Sequence, residues 1–186
     1  MSLTKKIKNR AFFFDRDGVI NIDRNDYTYL PQHFELMPNI IEVMQAIKSQ
    51  DFLIIVITNQ AGIAKGLYSD KEVDALHTHF QSLSGHLVDA FYHAPGHPDF
   101  SESLSRKPDS LLFEKAMARF EIDPTQSWMI GDKERDLIPA KKLGMKTILL
   151  SGSTYDVADF NIQQLHEIAG LISCEHPKRH PDDAGT

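Results

Sequence analysis

The chain has 186 residues, a length that suits one domain with a sizeable core and leaves little room for a second. Hydrophobic residues make up 41% and charged residues 25%, which excludes wholesale disorder, while 20 Lys and Arg against 26 Asp and Glu leave a net charge of −6 that disfavours a broad nucleic-acid surface. A single cysteine, Cys174, excludes an internal disulfide and a multi-cysteine zinc site within one chain, and suits a reducing, cytoplasmic setting.

Lys5, Lys6, Lys8 and Arg10 precede an apolar run, Ala11 to Phe14, that stops at Asp15 and is too short for a secretory signal. The run instead predicts a buried strand over Ala11 to Asp15, the first of five. The others are Phe52 to Asn59, Val88 to His93, Trp128 to Asp132 and Lys146 to Leu150. None is long enough to span a bilayer. Between them lie helical patterns. Ile40, Met44 and Ile47 share one face, and Val73, Leu76, Phe80 and Leu83 another, in a helix opened by the Ser69-x-x-Glu72 capping box. Leu112, Ala116 and Phe120 mark a third helix, with Pro108 suited to its first turn and Asp123-Pro124 beyond its end. Lys133 to Leu143 marks a fourth, stopped by Gly144. Gly152 to Phe160 reads as a loop, and Ile162, Leu165, Ile168 and Ile172 as a last amphipathic helix. Residues 1–174 are thus read as one domain and 175–186 as a mobile tail, in which His176 and His180 are solvated side chains. Strand-helix alternation of this kind predicts an α/β fold, a parallel sheet covered on both faces.

Ligands of open α/β sheets bind beyond the carboxyl ends of the strands. Asp15 ends the first strand, with Asp17 two residues on. Asp132 ends the fourth, with Asp136 a helical turn later. Such carboxylates suit a hard cation such as Mg2+, which takes oxygen ligands and shares its shell with water and phosphate. Thr58-Asn59, at the end of the most hydrophobic strand, offers a hydroxyl, an amide and backbone donors to phosphate oxygens. Arg106-Lys107-Pro108 offers two cations.

Four segments, Asp15-Arg16-Asp17-Gly18-Val19-Ile20-Asn21, Thr58 to Gly66, Arg106-Lys107-Pro108 and Met129-Ile130-Gly131-Asp132-Lys133, come in an order that resembles the haloacid dehalogenase superfamily of phosphotransferases. More narrowly, they resemble the heptose bisphosphate and histidinol-phosphate phosphatases, over about residues 11 to 150. The resemblance implies a three-layer Rossmann-like core. It implies Asp15 as the nucleophile that becomes an aspartyl phosphate, Asp17 as general acid and then base, and Thr58 and Lys107 as neutralisers of the transferring group. Asp132 would hold Mg2+ with Asp15 and the backbone carbonyl of Asp17. Asp23, Asp26, Asn59, Arg106 and Lys133 would contact the rest of a small phosphorylated sugar, Arg106 pairing with a second phosphate. Relatives in this group often carry a zinc loop, but Ser103 and Ser105 stand where one cysteine pair belongs, and His93 and His97 are read as ordinary loop residues, so structural Zn2+ is expected to be absent. No domain-sized insertion follows Asp17 or the second strand, so no cap domain is expected. The expected state is a monomer with no nucleic-acid or membrane partner. A histidinol-phosphate phosphatase, a polynucleotide 3′-phosphatase and a non-catalytic binding protein remain the alternatives.

Overall fold

The computed structural model describes residues 8–24, 26–100 and 102–175. Residues 176–186, which hold most of the expected tail with His176 and His180, and the basic Lys5 and Lys6 lie outside these. Six parallel strands form one sheet in the order β3-β2-β1-β4-β5-β6. They are β1 (Ala11–Phe14), β2 (Leu53–Asn59), β3 (Ala90–Ala94), β4 (Trp128–Gly131), β5 (Lys146–Leu150) and β6 (Phe160–Ile162). β1 is central, with Phe14 registered against Val56 of β2 on one side and Ile130 of β4 on the other.

Side chains of successive strand residues point to opposite faces, so the continuous apolar runs feed two cores. Phe12, Phe14, Ile54, Val56, Trp128 and Ile130 pack on one face against α1 (Ile40–Lys48), α2 (Asp70–Ser84) and α5 (Ile168–Glu175). Phe13, Ile55, Ile57, Met129 and Leu149 pack on the other against α3 (Leu111–Phe120) and α4 (Glu134–Lys142). The result is the three-layer α/β/α core that the alternation predicts. Among the described residues the connections 15–39 and 60–69 carry turns, isolated bridges and a short 3-10 segment, with no cap domain. Among the described residues no helix is long and apolar enough to cross a membrane.

The Ser69 capping box forms as its spacing predicts, the Glu72 carboxylate accepting from Ser69 N–H at 2.7 Å. Leu83, expected on the buried face of α2, is instead 46% exposed. The buried stripe runs through Val73, Leu76, His77, Phe80 and Ser84, so in the last turn it is Ser84 and not Leu83 that faces inward. Pro108 does not open α3, which begins at Leu111; the Lys107–Pro108 peptide is cis and sits in a turn. Ile162 belongs to a sixth strand and not to the last helix. The edge of β5 offered unpaired backbone groups, and Leu150 pairs there with Ile162. Asp159 prepares that pairing, its carboxylate accepting from both the amide and the hydroxyl of Thr147 at the start of β5.

Candidate active site

The sheet order changes direction about β1, so the crevice between the carboxyl ends of β1 and β4 is a topological switch point. Asp15 follows β1 there and Asp132 follows β4. Asp15 is 5% exposed, and its Oδ1 stands 2.7 Å from Lys107 Nζ. Lys107 arrives from the turn before α3, so deep that the residue is 2% exposed, and its ammonium also meets Asp136 Oδ1 and the carbonyl of Ile57, each at 2.8 Å. A buried ammonium set between two carboxylates, with a carbonyl accepting one of its protons, has its charge compensated where it stands. Burial by itself would lower the Lys107 pKa, but Asp136 and Asp15 outweigh it and hold the pKa above its ordinary value. Burial and the charge of Asp136 also push the Asp15 pKa up, to about 7, against the pull of Lys107.

Asp136, expected only as a further carboxylate of the cation site one turn beyond Asp132, is here a partner of Lys107. It starts α4 by accepting from Lys133 N–H at 3.1 Å, and its Cβ lies so close to Gly131 that a methyl group there would come within 2.4 Å of it. Any side chain at 131 would push Asp136 off Lys107. Gly18 plays a similar part. Its φ of +89° favours glycine, and a Cβ there would fall 2.5 Å from Asp132 Oδ2.

Carboxylate oxygens of Asp15, Asp132 and Asp136 lie within 4.8 Å of one another. Asp132 Oδ1 is buried without a hydrogen-bond partner, and burial with the nearby Asp136 raises the Asp132 pKa despite Lys133. Three crowded carboxylates, with Asp132 Oδ1 and Asp136 Oδ1 accepting no hydrogen bond, form an all-oxygen donor set, which fits a small hard divalent cation.

Asp17 takes a different environment. Arg16, itself buried, grips its carboxylate through Nε and Nη2, at 3.2 Å to Oδ1 and 2.9 Å to Oδ2. Asn21 donates to Oδ1 at 3.0 Å and Gln60 to Oδ2 at 3.1 Å. Gln60 also donates to Thr58 Oγ1 at 2.8 Å and accepts from Tyr68 O–H at 2.8 Å. With Gln60 supplying the proton of that contact, the Thr58 hydroxyl keeps its own proton for another acceptor. Gln60 lies inside the Thr58-to-Gly66 segment but carries no charge, and Tyr68 lies beyond it, so no sequence signal marked either.

Beside these groups opens a cleft of about 340 Å3. Asp17, Asp23, Asp26, Asn59, Arg106 and Lys133 line it, joined by Gln60, Tyr27, His97 and Arg135. The chain over one side is tied down by Arg16, which donates to the carbonyl of Thr28 at 2.7 Å, and by Tyr68 stacked on Tyr29 at 4.9 Å. Lys133 bridges Asp23 at 3.0 Å and Asp132 at 3.3 Å. Asp26 is exposed and accepts from Tyr27 N–H. Asn59 has both amide atoms engaged by Lys107, accepting from its N–H and donating to its carbonyl, each at 3.0 Å. Arg106 donates to the Gly96 carbonyl at 3.1 Å, and burial together with the charge of Arg135 lowers its pKa. Neither guanidinium forms a salt bridge among the described residues, so the cleft holds adjacent unneutralised cations. Ser103 and Ser105 hydrogen-bond to each other at 2.8 Å; His93 turns to α2, meeting Asp70 at 2.8 Å, and His97 lies against Asp99.

Residues 104–169 match the HAD-hydrolase-like family model. A D-glycero-alpha-D-manno-heptose-1,7-bisphosphate 7-phosphatase of Burkholderia mallei is 37% identical over 153 residues, 77% of this chain and 80% of that one. A D-glycero-beta-D-manno-heptose-1,7-bisphosphate 7-phosphatase of Haemophilus influenzae is 35% identical over 179 residues, covering 88% and 97%. The fold matches the D,D-heptose 1,7-bisphosphate phosphatase of B. bronchiseptica, complexed with magnesium and phosphate, at a TM-score of 0.80 and 23% identity, over 89% of this chain and 99% of that one. A putative HAD-like phosphatase of Mesorhizobium loti superposes with a TM-score of 0.77 at 26% identity, over 93% and 90%. The chain therefore belongs to the heptose-1,7-bisphosphate phosphatase family of haloacid dehalogenase-like hydrolases, and is a phosphoric monoester hydrolase.

Proposed function

We propose that this chain is a Mg2+-dependent phosphatase that removes one phosphate from a heptose 1,7-bisphosphate through an aspartyl phosphate on Asp15. The observation that carries the reading is Lys107 Nζ, 2.7 Å from Asp15 Oδ1, while Asp17, Arg106 and Arg135 line the neighbouring cleft. A carboxylate approaches a phosphate dianion only where cations cancel the repulsion. Lys107 supplies one. The carboxylates of Asp15 and Asp132, with the backbone carbonyl of Asp17, would hold Mg2+, which neutralises phosphoryl charge when bound.

Asp15 Oδ attacks phosphorus and the sugar oxygen leaves, taking a proton from the Asp17 carboxyl group. Asp17, now a carboxylate, removes a proton from the water that attacks the acyl phosphate, and free phosphate and the Asp15 carboxylate are regenerated. The grip of Arg16, Asn21 and Gln60 fixes the direction in which that carboxyl group faces. Thr58 donates its free hydroxyl proton to a phosphoryl oxygen. Asn59 holds the Lys107 backbone in register.

Arg106, with Arg135 beside it, serves the phosphate that is not transferred. This cationic wall also separates the bisphosphate from a histidinol phosphate, whose ammonium group would meet Arg106, Arg135 and Lys133, while Asp23 already pairs with Lys133. The test is phosphate release from heptose bisphosphate, a heptose monophosphate and histidinol phosphate by the parent, Arg106→Ala and Lys107→Ala. Removing Arg106 should cost the bisphosphate reaction about ten- to a hundredfold in kcat/KM, the loss of one charge-assisted contact of about 1.5–3 kcal/mol. It should barely change the monophosphate reaction, whereas Lys107→Ala should damage both. Equal losses for Arg106→Ala on both substrates would overturn the bisphosphate reading.

A further inference from the structure

On the α2 side of the sheet, behind Thr58, α2 and the edge strand β3 bring two imidazoles and two carboxylates together. Asp70, Asp74 and His77 stand four and three residues apart on α2, and so share one face. His93 stands two residues after Phe91 on β3, on the face of the strand that meets that helix. One ligand atom each from Asp74, His77 and His93 falls within 4.8 Å of the others.

His77 is 5% exposed and stacked on Phe91 at 4.5 Å, yet its Nε2 is buried without a hydrogen-bond partner. Mere filling of that space would be served better by an apolar ring, since an unmet buried polar atom destabilises the fold. His93 adds a second sign. Its Nε2 lies 2.8 Å from Asp70 Oδ1, and its Nδ1 lies 4.0 Å from Asp74 Oδ1. With the ring proton donated to Asp70, the Nδ1 lone pair is left towards Asp74. Imidazoles that bind metals are oriented in this way, by a carboxylate on the far ring nitrogen.

We propose that Asp74, His77 and His93 form a second cation site, for a divalent transition metal of the Zn2+ kind, with Asp70 orienting His93. Two imidazole nitrogens and a carboxylate oxygen suit such a borderline cation and are a poor set for Mg2+, which takes oxygen. The Asp74 side chain is 70% exposed and free to close on the ion. A bound cation staples α2 to the edge of the sheet. It uses neither Ser103 and Ser105 nor the three crowded carboxylates Asp15, Asp132 and Asp136, and it stands whether or not the phosphatase reading does.

Zn2+ and Co2+ are added to the full-length protein in excess Mg2+ and followed by calorimetry, by the visible d–d bands of Co2+ and by thermal unfolding. One cation per chain should bind and raise Tm, since a ligand of the folded state stabilises it. His77→Gln and His93→Gln should each abolish the Co2+ bands and the rise. Asp70→Asn should weaken affinity about 10- to 100-fold, as loss of an orienting partner does. Asp132→Asn and the double variant His176→Ala/His180→Ala should bind as the parent does. His93 is on an edge strand and only partly buried, so His93→Gln decides the matter even where His77→Gln fails to fold. Binding that survives His93→Gln, yields to Mg2+, disappears with Asp132 or the tail histidines, or fails to saturate would overturn the site.

Discussion

Asn59 and Lys107, 48 residues apart, exchange a pair of hydrogen bonds: the side-chain amide of Asn59 accepts from the Lys107 N–H and donates to its carbonyl, each at 3.0 Å. The pairing splices the Lys107 turn onto the end of β2. It also gives Asn59 a task different from the substrate contact expected of it. Asn59→Ala should therefore lower kcat on bisphosphate and monophosphate alike, by about tenfold or more, with little change in KM, because Lys107 loses its register at the transferring group. A rise in KM confined to one substrate would return Asn59 to a direct contact.

Asp136 holds the other side of the Lys107 ammonium from complete burial, with 0% exposure. Removing one partner of a buried ion pair leaves the other charge uncompensated, so Asp136→Ala should lose about 3–5 kcal/mol of stability in urea denaturation. Asp136→Asn keeps the shape and should lose less, while kcat still falls as Lys107 leans towards Asp15. Gly131→Ala should mimic it by displacing Asp136.

The crowding of Asp15, Asp132 and Asp136 calls for a cation. Chelation should abolish phosphate release, Mg2+ should restore it, and Asp132→Asn should need a higher Mg2+ concentration for half-maximal rate. Asp15→Asn, checked by circular dichroism for an intact fold, should bring turnover to background at every Mg2+ concentration, because an amide is a far poorer nucleophile. Restored turnover in Asp15→Asn would sink the covalent route.

Asp159 tests the β5–β6 junction. Burial would raise its pKa, but Lys141 and Thr147 together lower it below the ordinary carboxylate value. The folded state thus binds the proton less readily than the unfolded one, so this contribution is present above about pH 4 and is lost as pH falls through the depressed value. Asp159→Asn should be less stable than the parent by about 1–2 kcal/mol at neutral pH, with the difference shrinking as pH falls through the depressed value. A gap that is constant with pH would show that charge has no part in it.

The sequence alone determined the strands β1, β2, β4 and β5, because a strand buried on both faces must be apolar throughout, and a run such as Phe52 to Ile57 has few other uses. It also placed Asp15, Asp17, Thr58, Lys107 and Asp132 at strand ends or in short motifs, where a crevice had to lie. β6 escaped notice, since Phe160-Asn161-Ile162 is too short to show a period and becomes a strand only against the open edge of β5. Tertiary structure alone decided which charges meet. Lys107 finds Asp15 and Asp136, and Gln60 reaches Asp17, through contacts whose partners come from different loops. His77 and His93 come together in the same way across a helix and a strand. Periodicity records which face of an element is buried, but a polar pair between distant segments leaves no period in either.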